Sequence, residues 1–170
     1  MVCRRQVGDG ILSTSRDYEI SVEELQKISQ WKLQSTRNDS NIAKNTTTAV
    51  EQQSHAALQA SSDTEAIAAL TQLSGVGVPM ASTVLTVAEP TQYAIIDYRA
   101  FRGLAGVHPQ LLDSQHYAAS AEFLEHFRTY LTKPEAYAYY MKHVREIAET
   151  EDLSAREVDM ALWAFDKEKA

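Results

Sequence analysis

The 170-residue chain has little with which to build several common classes of site. It holds one cysteine, Cys3, which rules out an internal disulfide and any zinc or iron–sulfur site made from several thiolates. Its five histidines, His55, His108, His116, His126 and His143, form no close pair of the H-E-x-x-H kind. Neither a metal nor another cofactor is therefore expected. No apolar run approaches the roughly 20 residues that cross a bilayer, so no membrane partner is expected. The opening residues lack the apolar stretch of a secretory signal, so we expect an intracellular, cytoplasmic protein. Alternating apolar and polar strand patterns are nearly absent, as are repeats and any βαβ rhythm.

Positive charge is also scarce. The formal net charge is −7, the wrong sign for a protein that holds nucleic acid by bulk electrostatics. The deficit is local. Residues 46–96 carry 4 acidic and no basic side chains, and residues 146–170 carry 8 acidic against 3 basic, while the rest is close to neutral. A local basic face is compatible with that distribution.

What remains is helical. Ser21 and Glu24 have the spacing of a capping box, as do Ser154 and Glu157. The first opens a helix to about Leu33, and the second opens one to Lys169. Residues 1–17 show no clear period and are expected to be loose. The polar stretch 35–45 reads as a loop, followed by helices over about 46–60 and 65–73. Pro79 suits the first turn of a helix running to about Ala88. Asp97 suits the cap of a helix to about Ala105. Further helices are expected over 114–131, 134–149 and 154–169. The pattern predicts an all-α protein, a single helical domain over 1–170.

The most informative segment is Leu73-Ser74-Gly75-Val76-Gly77-Val78-Pro79-Met80-Ala81. Two glycines allow a sharp turn and a close backbone approach. Amides at the mouth of the following helix attract phosphate through free N–H groups and the helix dipole, with no side-chain charge needed. A plain helix–helix connector would use the same residues.

Leu73-x-Gly75-Val76-Gly77-x-x-x-Ala81, followed by Ile95-Ile96-Asp97, resembles the helix–hairpin–helix DNA glycosylase superfamily, which includes endonuclease III and 8-oxoguanine glycosylase. The resemblance covers about 70–102, with the hairpin element at about 64–88. It implies duplex DNA as partner, held through backbone phosphates by Gly75, Val76, Gly77 and Val78, with Arg99, Arg102 and Lys32 as further DNA-binding candidates. It implies catalysis by Asp97, whose carboxylate would stabilise the positive charge that grows on the sugar as an N-glycosidic bond breaks. Trp31, Tyr98, Tyr140 and Trp163 are candidates to line the pocket for an extruded base. Bifunctional members carry a nucleophilic lysine early in the second hairpin helix. Pro79 stands at that position here, so a monofunctional N-glycosylase is expected. Lys32 is the alternative amine nucleophile, although nothing in the sequence depresses its pKa. The chain also lacks the cluster-binding cysteines of the endonuclease III branch and is shorter than most full glycosylases. Gln30-Trp31-Lys32-Leu33 and 156–163 resemble a little-characterised branch of helix–hairpin–helix proteins.

Three alternatives stay open for the residues themselves. Asp97 also suits an N-cap alone, the arginines suit pairing with Asp97 or other acids or solvated surface positions, and the whole chain suits a non-catalytic nucleic-acid-binding module or a helical protein-interaction domain.

Overall fold

The computed structural model describes residues 20–113, 115 and 117–169. The expectation of a loose 1–17 lies outside these. The described residues are helical, with no strand: α1 (Val22–Leu33), α2 (Asp39–Ile42), α3 (Thr47–Gln59), α4 (Asp63–Leu70), α5 (Val78–Ala88), α6 (Tyr98–Val107), α7 (Tyr117–Thr129), α8 (Pro134–Glu151) and α9 (Ala155–Lys169), plus a 3₁₀ turn at Pro109–Leu111.

Local chemistry sets most of these boundaries. The Ser21–Glu24 capping box is complete, and α1 ends where Gln34 enters the left-handed region at φ 49°. Thr46 and Ser62 cap α3 and α4. Pro79 falls in the first turn of α5. Ser154 and Glu157 exchange hydrogen bonds at the head of α9. The stretch read as a loop, 35–45, contains the short α2, one helical turn closed by the Asn41 and Ile42 amides donating to the Asn38 carbonyl.

The helices share one apolar core. α4 packs on α3 and α8, α1 on α5, and α6 on α9. Phe101 on α6 centres an aromatic cluster, with the rings of Phe123, Phe127 and Tyr140 at 5.4, 5.5 and 5.6 Å.

Between α5 and α6 the chain crosses this core in extended form. Ala94, Ile95 and Ile96 are all buried, yet no neighbouring strand offers them a ladder. Side chains from three helices take its place. The hydroxyls of Tyr137 and Tyr140 donate to the carbonyls of Ala94 (3.0 Å) and Ile95 (3.4 Å). The Ile95 amide donates to Asp159 (2.6 Å), and the Ile96 amide to Ser82 Oγ (3.1 Å). An unpaired backbone group there would cost about 1–3 kcal/mol, which accounts for four polar side chains in an apolar interior. Tyr140, expected to line a pocket, is corrected by this: it is fully buried, and burial raises its hydroxyl pKa well above the ordinary 10.

α6 and α9 approach closely at Gly103, where an added Cβ would stand 2.3 Å from the Leu162 carbonyl oxygen. Replacing glycine by alanine inside a helix normally stabilises by about 1 kcal/mol. Here the backbone clash dominates. Gly103→Ala is expected to lower the unfolding free energy by about 1–3 kcal/mol, measured by urea denaturation.

Candidate functional site

Asp97 stands at the junction of the extended segment and α6. Its Oδ1 accepts from the Ala100 amide at 2.9 Å, a side-chain N-cap. That contact fixes the carboxylate and leaves Oδ2 facing Lys32 Nζ at 3.8 Å. Capping and an open carboxylate oxygen thus coexist, and 31% of the Asp97 side chain remains exposed.

The exposed side is a cleft of about 470 Å³, lined by Trp31, Lys32 and Gln34 from the end of α1, Ile95, Asp97 and Ala100, and Arg156, Asp159, Met160 and Trp163 from α9. The two segments that resembled a helix–hairpin–helix branch, around Trp31-Lys32 and 156–163, are therefore brought together with Asp97. Trp31 is 54% and Trp163 38% exposed, so two indole rings wall the cleft rather than fill the core.

Lys32 reaches this place through helical register. Leu25 and Ser29 form the buried face of α1, and position 32 continues that face. Only 16% of the lysine side chain is exposed. Burial lowers its pKa from the ordinary 10.5, and the like charge of Arg156 adds to this, while Asp97 and Asp159 pull it back up. Asp159 likewise sits on the buried face of α9. Burial raises its pKa, opposed by the hydrogen bonds from Arg156 and the Ile95 amide.

Arg99 and Arg102 turn to a different acid. Arg102 grips Asp166 with both Nε and Nη2, the latter at 2.9 Å, and Arg99 adds a contact at 3.3 Å. The Arg102 hydrogen bond holds the Asp166 carboxyl below its usual range. Of the roles weighed for these arginines, phosphate contact, pairing with an acid and a solvated surface position, pairing with an acid is the one the geometry realises. Arg99 also lies over the Trp163 ring at 5.8 Å. Tyr98, a pocket candidate, is exposed but stands outside the cleft, its hydroxyl accepting from Arg102 and its ring beneath the guanidinium.

The α4–α5 turn is held from behind by the α1–α3 connection. Gly75 has φ +80°, its carbonyl accepts from Asn38 Nδ2 at 2.8 Å, and an added Cβ would meet Asn38 Oδ1 at 3.0 Å. The Ser74 amide donates to Asn45 Oδ1 and the Val76 amide to the Leu73 carbonyl. Two of the loop's N–H groups are thus occupied. Val76 and Val78 are buried, main chain included, and the Val76 amide already donates to Leu73, which corrects the expectation that these two residues contact DNA. Gly77 is exposed, and no side chain caps α5. Asn38 also donates to Ser29 Oγ on α1, which couples the turn to the helix that ends in Trp31 and Lys32.

Among the described residues no group of acids, histidines or cysteines could hold a metal ion, and no helix is long and apolar enough to cross a membrane. Compared with protein-family models, curated proteins and solved structures, the chain matches none.

Sequence reasoning missed Asp159 and the burial of Lys32. The available signal was a charge in phase with an apolar stripe, at 25-29-32 on α1 and 155-159-162 on α9. Asp97→Asn keeps an N-capping oxygen but removes the charge facing Lys32. The Lys32 pKa is expected to fall further in that variant, read by NMR titration of the lysine side chain. An unchanged or raised value contradicts the Coulombic link.

Proposed function

We propose that the chain binds duplex DNA through its sugar–phosphate backbone and acts in the Asp97 cleft as an N-glycosidic bond hydrolase of the DNA glycosylase kind. The observation that carries this reading is the Asp97 carboxylate: one oxygen is immobilised by the α6 cap, and the other opens into a cleft walled by Trp31 and Trp163. The cleft's volume is in the range of small-molecule sites, about 300–1,000 Å³. Indole faces suit an unstacked base.

In this reading the fixed carboxylate stabilises the positive charge that develops on the sugar as the base departs. It also orients and deprotonates the attacking water. Backbone contact comes from the α5 mouth at Gly77, where peptide N–H groups and the helix dipole meet phosphate without a basic side chain. That route is compatible with a net charge of −7.

A second reading, a helical protein-interaction domain, is favoured by one observation: Asp166 engages both Arg99 and Arg102. Binding separates the two. Gly77→Glu is tolerated by the fold, since a Cβ there meets only the Leu131 carbonyl at 3.6 Å, and it sets a negative charge at the α5 mouth. Duplex binding at low salt is expected to weaken by at least tenfold in Gly77→Glu (about 1.4 kcal/mol) and to weaken steeply as salt rises. Base release from lesion-bearing duplexes is expected to fall by about 10²–10⁴-fold in Asp97→Asn. Absence of salt-sensitive binding in the unmodified protein would favour the interaction-domain reading.

A further inference from the structure

α9 has a cleft on each of two sides. Arg156, Asp159, Met160 and Trp163 face the Asp97 cleft. Val158, Ala161, Leu162 and Phe165 lie about half a turn round the helix and face a second cleft, of about 480 Å³. No residue lines both. We propose that this second cleft binds an organic cation: an aliphatic chain that ends in an ammonium group. The site stands whether or not the Asp97 cleft takes DNA.

The walls supply the apolar half of that recognition. α9 contributes Val158 and Leu162, both buried, and the half-buried Phe165. The Phe165 ring is seated on Gly106 of α6, where an added Cβ would overlap it. α8 contributes Ile147, and its end contributes Leu153. There Asp152 takes the left-handed conformation at φ 54°, and the Leu153 amide donates back to the Ala148 carbonyl at 3.0 Å. Val107 and Leu153 remain 42% and 40% exposed, so apolar surface stands open to water at the rim. From Val158 to Phe165 the wall runs about 10 Å along the helix axis. That length and volume fit a small molecule better than a long peptide.

The rim supplies the charge. Glu146 and Glu151 line the cleft, and no lysine or arginine is among its described lining residues. Glu146 Oε2 lies 3.2 Å from His143 Nδ1. Burial lowers the His143 pKa from the ordinary 6.5, so at neutral pH the histidine is largely uncharged and leaves the carboxylate's charge uncancelled. α6 ends at Val107 and α8 at Glu151, both on this cleft, so the negative ends of two helix dipoles meet there as well. An anionic head group is repelled by all four features and an ammonium is attracted by all four. The chain itself shows the preference: Lys169 Nζ stands 4.0 Å from the centre of the Phe165 ring.

The test titrates the full chain with octyltrimethylammonium, octanoate and tetramethylammonium, each below micelle formation, and follows the signals by NMR. Octyltrimethylammonium is expected to shift Val107, Ile147, Leu153 and Ala161 and to leave the Trp31 and Trp163 indole N–H signals in place. Octanoate has the same chain with the opposite charge and is expected to bind at least about tenfold more weakly. Tetramethylammonium, a head without a chain, is expected not to bind. Ala161 is exposed on α9, and Ala161→Phe fills the cleft from its rim; binding is expected to be lost with the circular dichroism spectrum unchanged. Glu146 and Glu151 are also exposed, and Glu146→Gln combined with Glu151→Gln is expected to remove the preference for the cationic compound. Equal affinity for the two octyl compounds in the unmodified protein overturns the proposal. So do shifts centred on Trp31 and Trp163, or undiminished binding in Ala161→Phe. Absence of binding by octyltrimethylammonium, with a basic amphipathic peptide shifting the same residues, gives the cleft to a partner protein and overturns it too.

Discussion

The structure depends on one unusual constraint: an extended segment buried in a protein whose described residues contain no sheet. Ala94, Ile95 and Ile96 must present their peptide groups to helices, and helices have no free backbone groups along their flanks. Ser82, Tyr137, Tyr140 and Asp159 resolve this by turning polar atoms inward from α5, α8 and α9. The segment is thereby held at both ends and in the middle. It delivers Asp97 to the surface at a fixed position, and the α6 cap then fixes the carboxylate itself. The proposed chemistry would require a carboxylate held to within a fraction of an ångström, and these contacts are the means of holding it.

The charges follow a consistent division. Lys32 and Asp159 sit in core register on α1 and α9 and meet at the cleft with Asp97 and Arg156. Asp166, also in core register on α9, collects Arg99 and Arg102 outside the cleft. Buried ions without partners would cost several kcal/mol each, so these networks are built from both signs. The cations nearest the cleft, Lys32, Arg99, Arg102 and Arg156, are thereby directed to the protein's own carboxylates. In the proposed reading, contact with a polyanion falls to the exposed start of α5 at Gly77. Asn38 and Asn45 brace that turn from the opposite side and join it to α1, the helix that carries Trp31 and Lys32.

Some of this was legible in the chain. Capping is local chemistry, so the boxes at Ser21–Glu24 and Ser154–Glu157, the Pro79 helix start and the Asp97 cap all stand where their spacing put them. The glycine turn is local as well, and Gly75 takes the left-handed conformation at φ +80°. Tertiary partners were not legible. Tyr140 reads equally well as a pocket wall or a core ring, and its hydroxyl is claimed by a carbonyl 45 residues away in sequence. The polar run 35–45 looked like a simple loop, because nothing in its composition says that Asn38 and Asn45 clasp the turn around Gly75. Trp31 faces outward at the cleft while its neighbour Lys32 takes the buried register of α1.

In the proposed function the Asp97 cleft receives a DNA sugar. A crystal structure of the full chain with a duplex containing a tetrahydrofuran abasic-site analogue tests it most directly. The expected result is the analogue's ring between Trp31 and Trp163, its C1′ facing Asp97, and a neighbouring phosphate at the start of α5. DNA seated on another face, with the cleft empty, would contradict it.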